Sequence, residues 1–292
     1  MIDNTASSGL RDSQRAGVIR FYDTHPINED EILAKLKARG DDVDALTEDV
    51  LKDFDQDHYG GIDVVDALAT AAGIAPGHHV LDVCSGMGGP ARWIAHRIGC
   101  RVTGVDFTQS RVEAARRLTT RVKLDRLVDF VQGDATALPW PKAVFDVVMS
   151  QEAWLHVADK PAVIAEVARV AKPGGVIAFT DVVMRGPLDP IEEARLASEM
   201  HVPGVAAVET YPALLRAHGC TLERCEDLSA QWSEVLVKRL AMYRSLRDTT
   251  AAKFGEAHFA AWDHTYSFFV GLFTAGKLGG VRIVARTPAG GH

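Results

Sequence analysis

Glycines and an acidic residue are spaced between positions 79 and 106 as a nucleotide-binding site requires. The segment HVLDVCSGMGGPARWIAHRIG (79–99) passes from an apolar run through a glycine cluster into a helical pattern. Gly86 and Gly88 permit backbone conformations, and a close approach of a ligand, that a Cβ atom would obstruct. Asp106 ends the next apolar run, where its carboxylate can bind ribose hydroxyls. The spacing predicts a site for a nucleotide-like ligand and leaves open which one.

The elements that must position this loop alternate between strands and helices from Ile74 to Val183. The predicted strands are HVLDVC, RVTGVD, VDFVQG, FDVVMS and GGVIAFTDVV, and the helices between them include PARWIAHRIG, SRVEAARRLTTRV and KPAVIAEVARVAK. Such alternation requires an α/β fold, with a mostly parallel sheet and helices on both faces. Ligands of such sheets bind beyond the carboxyl ends of the strands, which is where the glycine loop would lie.

Helical patterns precede the alternating region. We predict that residues 1–60 form an N-terminal helical cap or lid. Within them, NEDEILAKLKARG has Asn28 at the N-cap and Glu31 at the N3 position of a capping box, and Gly40 where the helix should end.

Residues 61–292 are predicted to form a single domain with helical additions. The additions are expected around 186–210 and 231–277, and the late strands TLERCEDLS and GVRIVART lie on either side of the second one. A connection of that length between two strands normally carries structure of its own.

Composition excludes several classes of protein. The 292 residues carry a net charge of -7 without a basic run, so a nucleic acid would be repelled. The four cysteines form no CxxC pair, which is typical of free thiols in a reducing compartment. The N-terminus lacks the apolar core of a signal peptide, and no apolar segment reaches bilayer length. We therefore expect a cytoplasmic protein without nucleic-acid, membrane or metal partners.

The glycine loop alone does not identify its ligand. Read as G-x-G-x-x-A, the residues GMGGPA (86–91) also match the dinucleotide fingerprint of NAD-dependent oxidoreductases. Asp106 would bind ribose in that case too. An oxidoreductase is therefore an alternative at this stage.

The surrounding residues favour another cofactor. LDVCSGMGGP resembles the first motif of class I S-adenosylmethionine (SAM)-dependent methyltransferases, with Asp82 at the acidic position and Cys84, Gly86 and Gly88 at those of three alternating glycines. GVDFTQS, VQGDATALPW and FDVVMSQEAWLHVADK resemble the next three motifs in order. The resemblance implies a Rossmann-like fold with a mostly parallel seven-stranded sheet, and makes 61–292 the methyltransferase domain. We expect Cys84 to be tolerated because its backbone should stay β-like.

The resemblance also assigns cofactor contacts. Asp106 would bind the ribose hydroxyls of SAM, Phe107 would pack on the adenine, and Asp82 would order the loop or approach the ligand's ammonium. Asp134 and Ala135 would meet the adenine edge, although GDAT can also use Asp134 as a turn cap. The cofactor-binding residues expected in this way are Asp82, Ser85, Gly86, Gly88, Asp106, Phe107, Asp134, Ala135 and Gln151.

A narrower resemblance concerns the methyl acceptor. SQEAWLHV, FTDVV and HVPGVAAVETYPALLRAHGCTLERCEDLS resemble the sarcosine/dimethylglycine N-methyltransferase group. That group has an aspartate where Glu152 stands, and its tryptophan-glycine-glycine segment is only faintly matched by HYGGIDVV. The expected acceptor is a small molecule methylated at an amine nitrogen, with O-, S- or C-methylation as alternatives.

Two residues after the fourth strand are candidate catalytic groups. An amine must lose a proton before or during methyl transfer, and Glu152 and His156 are placed to accept it. Histidine has the better unperturbed pKa for this role near neutrality. The candidate substrate-binding residues are Tyr59, Trp154, His201 and Tyr211.

One further segment, DQDHYGGIDVVD (55–66), overlaps the template of a calcium-binding EF-hand loop. Tyr59 replaces an oxygen ligand, and Asp66 is shorter than the expected bidentate glutamate. We interpret the segment as an entrance loop with His58 and Tyr59 at the substrate pocket, and keep a calcium-binding non-catalytic module as an alternative. Besides the small-molecule acceptor, a second copy of the chain is a possible partner.

Overall fold

A computed structural model describes residues 16–23, 25 and 27–290. The strands are β1 His79–Val83, β2 Arg101–Asp106, β3 Val128–Gln132, β4 Phe145–Gln151, β5 Ala171–Met184, β6 Ala206–Ala207, β7 Thr221–Asp227 and β8 Leu278–Arg286. The helices are α1, described over 16–23, α2 Glu29–Arg39, α3 Glu48–Leu51, α4 Ile62–Ala71, α5 Gly89–Ile98, α6 Gln109–Arg121, α7 Lys160–Val170, α8 Pro190–Glu199, α9 Thr210–Ala217, α10 Ser229–Ser245, α11 Arg247–Phe254 and α12 Glu256–Thr274.

The sheet confirms the predicted fold class. Its strand order is β3-β2-β1-β4-β5-β8-β7, and β8 runs antiparallel to both of its neighbours. These seven strands match the predicted number, and the unpredicted β6 adds two residues beside β5. The chain reverses direction across the sheet between β1 and β4, which opens a crevice at their carboxyl ends.

The inner strands are largely apolar because both faces of the sheet are covered there, whereas the edge strand β7 is mostly exposed. Leu81 and Val83 of β1 share a core with Ile164 of α7. Val80 points to the opposite face, where it shares a core with Ile94 of α5. Side chains alternate between faces along a strand, so an almost continuous apolar run is what a doubly covered sheet demands.

Helix α2 begins and ends where the sequence predicts. The Asn28 side chain accepts a hydrogen bond from the Glu31 backbone at 3.0 Å, and Gly40 ends the helix with a φ of 96°. The capping box is half formed, because the Glu31 carboxylate accepts from Lys253 of α11 at 2.6 Å. Glu31 therefore ties α2 to α11.

The helical additions pack around the central sheet. Trp232 of α10 and Phe269 of α12 share a core with Leu155, which follows β4. Ile32 of α2 shares a core with Leu118 of α6. The division at residue 60 stays a prediction. In the part of the chain that is described, no helix combines the length and apolar character needed to cross a bilayer.

Candidate active site

A cavity of about 360 Å³ lies beyond the carboxyl ends of β1, β2 and β4. The loops after these strands and after β3 form one side of it, and residues from α1, the 55–59 loop, α10 and α12 form the other. All nine predicted cofactor-binding residues line it: Asp82, Ser85, Gly86, Gly88, Asp106, Phe107, Asp134, Ala135 and Gln151. The fold thus brings together residues spread over four strand ends.

The loop after β1 is built on left-handed backbone. Cys84, Gly86 and Gly88 have φ values of 61°, 54° and 77°. A Cβ atom on Gly88 would lie 2.2 Å from the Phe130 ring, whereas one on Gly86 would meet no atom within 4 Å. The expectation of β-like backbone at Cys84 is therefore wrong. This non-glycine residue is held in a conformation that costs about 1–2 kcal/mol.

Asp106 links the glycine loop to the end of β2. One carboxylate oxygen accepts from the Gly86 backbone and the other from the Thr108 backbone, each at 2.8 Å. Burial raises the pKa of Asp106, and these two hydrogen bonds oppose that rise. The Thr108 side chain also donates to Asp106. Because a carboxylate has about four lone-pair sites, Asp106 retains the capacity to accept from a further hydroxyl.

Asp82 lies buried at the bottom of the cavity. Burial, and then repulsion from Asp106, raise its pKa to about 8. Its Oδ2 atom is among the buried side-chain atoms for which the described residues supply no hydrogen-bond partner, together with Ser85 Oγ and both amide atoms of Gln151. An acceptor, a hydroxyl and an amide with unmet hydrogen-bonding capacity thus belong to residues that line the same cavity.

Asp134 has the turn role that the sequence left open. Its Oδ1 atom accepts from both the backbone and the hydroxyl of Thr136, at 2.8 and 2.7 Å. Asp134 and the neighbouring Ala135 nevertheless line the cavity. The turn fixes the carboxylate at the edge of the site and does not remove it from there.

Glu152 follows β4 in a left-handed conformation, with a φ of 55°. Its Oε2 atom accepts from the Tyr59 backbone at 2.7 Å, which joins the 55–59 loop to the sheet. Burial raises the pKa of Glu152 to about 8. The residue is thus a carboxyl group that gains or loses a proton near neutral pH.

His156 lies one turn further on. Its Nδ1 atom is 3.2 Å from the backbone carbonyl of His201. A carbonyl only accepts, so Nδ1 carries the hydrogen and Nε2 holds the free lone pair. Burial lowers the pKa of His156 to about 4, and the ring is neutral at pH 7. Glu152 rather than His156 therefore has the pKa suited to proton transfer near neutrality, contrary to the expectation from unperturbed values.

Aromatic residues that the sequence analysis missed form the rest of the cavity wall. Phe21 and Tyr22 come from α1, and Trp262, Tyr266 and Phe269 come from α12. The last three follow a spacing of four and three residues, which places them on one helix face. That spacing is the signal in the sequence that could have identified them, whereas α1 carries no comparable pattern.

Three of the four candidate substrate residues lie outside the cavity. Tyr59 lines it, but Trp154 and Tyr211 are 1% and 0% exposed and pack on Phe179 of β5 in the sheet core. Both belong to the same buried cluster as Phe179 and Ile164 and are therefore core residues. His201 packs behind Phe21, with ring centroids 5.8 Å apart. It reaches the site through its carbonyl, which holds His156.

The 55–66 loop does not gather its carboxylates. Asp55 is fully buried against Arg92, with 2.7 Å between oxygen and nitrogen, and Asp66 accepts from the Trp93 indole at 2.9 Å. No group of three or more histidine, cysteine or acidic residues suited to a metal occurs in the described ranges. His58 and Tyr59 border the cavity, as the entrance-loop interpretation predicts.

Comparisons with known proteins identify the family. A family model described as a methyltransferase domain matches residues 81–179. Over 228 residues the chain is 31% identical to the 27-O-demethylrifamycin SV methyltransferase of Amycolatopsis mediterranei, covering 77% of this chain and 83% of that one. The chain belongs to the class I SAM-dependent methyltransferases.

Other relatives of this methyltransferase act on different acceptors. It is 30% identical over 194 residues to the glycine/sarcosine/dimethylglycine N-methyltransferase of Actinopolyspora halophila, covering 66% of this chain but 34% of that enzyme. The fold is similar to that of Haemonchus contortus phosphoethanolamine N-methyltransferase 2, with a TM-score of 0.74, 19% identity and coverage of 92% of this chain and 59% of that one. This chain thus spans about a third and three fifths of their lengths.

The cavity residues of the methyltransferase fit SAM. Asp82 offers an unmet acceptor to an ammonium, while Ser85 and Gln151 offer donors to a carboxylate. Asp106 retains acceptor capacity for a ribose hydroxyl, and Gly86 leaves open space beside the loop. Because the chain belongs to this family, we reject the alternatives of an oxidoreductase and of a calcium-binding non-catalytic module.

Proposed function

We propose that this enzyme methylates an amine nitrogen of a small molecule. The observation that carries the proposal is the acceptor end of the cavity, where the proton acceptors Glu152 and His156 face aromatic rings. Amines need a base, and the cationic product gains from nearby aromatic faces. The sequence similarity to a glycine/sarcosine/dimethylglycine N-methyltransferase supports the same choice.

Each group at the acceptor end has a proposed role. SAM, when bound, supplies a methyl group on a sulfonium that is already an activated leaving group. Glu152 takes the proton of the attacking amine. Its pKa of about 8 lies close to neutral pH, where a catalytic group can both accept and release a proton. His156 stays neutral and accepts a hydrogen bond through Nε2, which orients the amine. Phe21 and Tyr22 exclude water and cover the methylated product.

The base assignment predicts how rate depends on pH. Glu152 is mostly protonated at pH 7. With SAM saturating at every pH, so that proton release from Asp82 does not contribute, kcat/KM for the acceptor should rise with pH and level off above about pH 8. Glu152→Gln should remove this rise and lower kcat by about 10²-fold or more. His156→Gln keeps a hydrogen-bonding group and serves as the matched variant, in which the rise should persist. Loss of the rise in His156→Gln alone would assign the base to His156.

The acceptor class is tested directly with labelled SAM. The panel contains N-methylated amino acids, simple amines, phenols and thiols, together with peptides and RNA. Label on nitrogen of a small amine is expected, located by mass spectrometry. Transfer to a phenol or thiol alone would refute the nitrogen assignment, and transfer only to peptide or RNA would refute a small-molecule acceptor.

The remaining predictions from the sequence are part of this proposal. They are a cytoplasmic location, a homodimer, no nucleic-acid partner, and the division into 1–60 and 61–292 with additions around 186–210 and 231–277. The net charge of -7 supports the preference for a small molecule over nucleic acid.

A further inference from the structure

Arg239 of α10 presents a positive charge to the acceptor end of the cavity. Its guanidinium donates to the His58 backbone carbonyl and lies 5.4 Å from the centre of the Tyr59 ring. The Tyr266 hydroxyl also interacts with it by a hydrogen bond. These contacts occupy two of the five N–H donors of an arginine. The guanidinium is therefore fixed by its surroundings and still has donors to offer.

No carboxylate within the described ranges lies close enough to pair with Arg239. Ion pairs up to 4.0 Å are formed by many arginines of this chain, but not by this one. Asp57 and Glu152, which interact electrostatically with the neighbouring Tyr266, have other partners: Glu152 accepts from the Tyr59 backbone, and Asp57 lies 3.7 Å from His25. Burial also keeps Glu152 largely protonated at pH 7, since its pKa is raised to about 8.

The position of Arg239 separates it from the cofactor end. It contacts the 58–59 loop, which is joined to Glu152 beyond β4. The acidic groups that fit SAM lie at the ends of β1 and β2. A guanidinium recognises carboxylates and phosphates through paired hydrogen bonds, and such pairs are strongest where water is excluded.

We propose that Arg239 binds an anionic oxygen group of the methyl acceptor, a carboxylate or a phosphate ester, so that the enzyme selects acidic small molecules. This rests on the proposed small-molecule methylation but not on the acceptor atom. The aromatic rings of Tyr59 and Tyr266 hold the guanidinium plane in the cavity, and the anion binds on its open side.

The test is calorimetry on protein saturated with S-adenosylhomocysteine. The probes are matched pairs that differ in the anionic group: sarcosine and sarcosinamide, 4-hydroxybenzoate and 4-hydroxybenzamide, and phosphoethanolamine and ethanolamine. At least one acid should bind tenfold or more tightly than its neutral partner. Arg239→Gln should bring that ratio close to one, and Arg239→Lys should give an intermediate ratio. Lys238→Gln is the control, because it removes an exposed charge from the same helix and should leave the ratio unchanged.

The outcomes separate this proposal from the choice of nitrogen. If no acid binds more tightly than its neutral partner, including the case in which neither binds, Arg239 is not an anion site. A preference that persists in Arg239→Gln also refutes it. Methyl transfer from labelled SAM to 4-hydroxybenzoate, but to neither sarcosine nor phosphoethanolamine, would refute the nitrogen acceptor. The anion site would still stand if the preference for the acid is lost in Arg239→Gln. Unchanged affinity of Arg239→Gln for S-adenosylhomocysteine verifies that the variant is folded.

Discussion

Binding of the cofactor product S-adenosylhomocysteine should release a proton from Asp82. The pKa of about 8 means that this buried carboxyl holds about 0.9 of a proton at pH 7. A ligand ammonium next to Oδ2 should return the pKa to near its ordinary value of about 4. Binding then releases about 0.9 proton at pH 7 and about 0.1 at pH 9. Because the bound state holds fewer protons, affinity should rise about 50-fold from pH 6 to pH 8 through this group.

Calorimetry in buffers of different ionisation enthalpy measures this release. The ligand's own amino group and Glu152 also titrate in this range, so the informative quantity is the difference between the wild type and Asp82→Asn. The variant should release about 0.9 fewer protons at pH 7, and the difference should fall to about 0.1 at pH 9. Equal proton release by the two proteins at pH 7 would refute the placement of the ammonium at Asp82.

Three further predictions concern the cofactor loop. Asp106→Ala removes ribose hydrogen bonds to a charged acceptor worth about 1.5–3 kcal/mol each, so calorimetry should show at least a tenfold loss of affinity for SAM; unchanged affinity would exclude the ribose role. Cys84→Gly should be more stable than Cys84→Ala by about 1 kcal/mol in urea denaturation, since only glycine relieves the left-handed backbone; equal stability would contradict the strain. Gly88→Ala should be about 1–3 kcal/mol less stable than Gly86→Ala, because its Cβ meets Phe130, and the opposite order would show that the loop relaxes freely.

The central sheet could be predicted because each of its main strands is a bounded apolar run. In the doubly covered strands β1 and β4 most residues are apolar, and most are buried. The two-residue β6 carries none, since Ala206 and Ala207 show no period. The helical addition predicted over 231–277 consists of three helices. Gly255, with a φ of 92°, separates α11 from α12.

The sequence reveals the cofactor end of the site better than the acceptor end. The cofactor residues form short contiguous motifs at strand ends, so their convergence follows from the fold. The acceptor end combines Phe21, Arg239 and Trp262, which are far apart in the chain and meet only through packing of the additions. Trp154 and His156 belong to one 3-10 turn, yet one points to the core and the other to the cavity. A 3-10 helix has three residues per turn, so side chains two positions apart point in different directions. Which of the two faces the cavity is decided by packing on the sheet.

A crystal structure with S-adenosylhomocysteine tests the account of the site most directly. We expect the ribose hydroxyls to bind Asp106, the ammonium to bind Asp82, and the sulfur to face the acceptor end of the cavity, where Glu152 and His156 lie. A ligand whose sulfur points away from Glu152, or whose ribose is held elsewhere than at Asp106, would contradict the arrangement of cofactor and acceptor ends on which the proposed amine methylation rests.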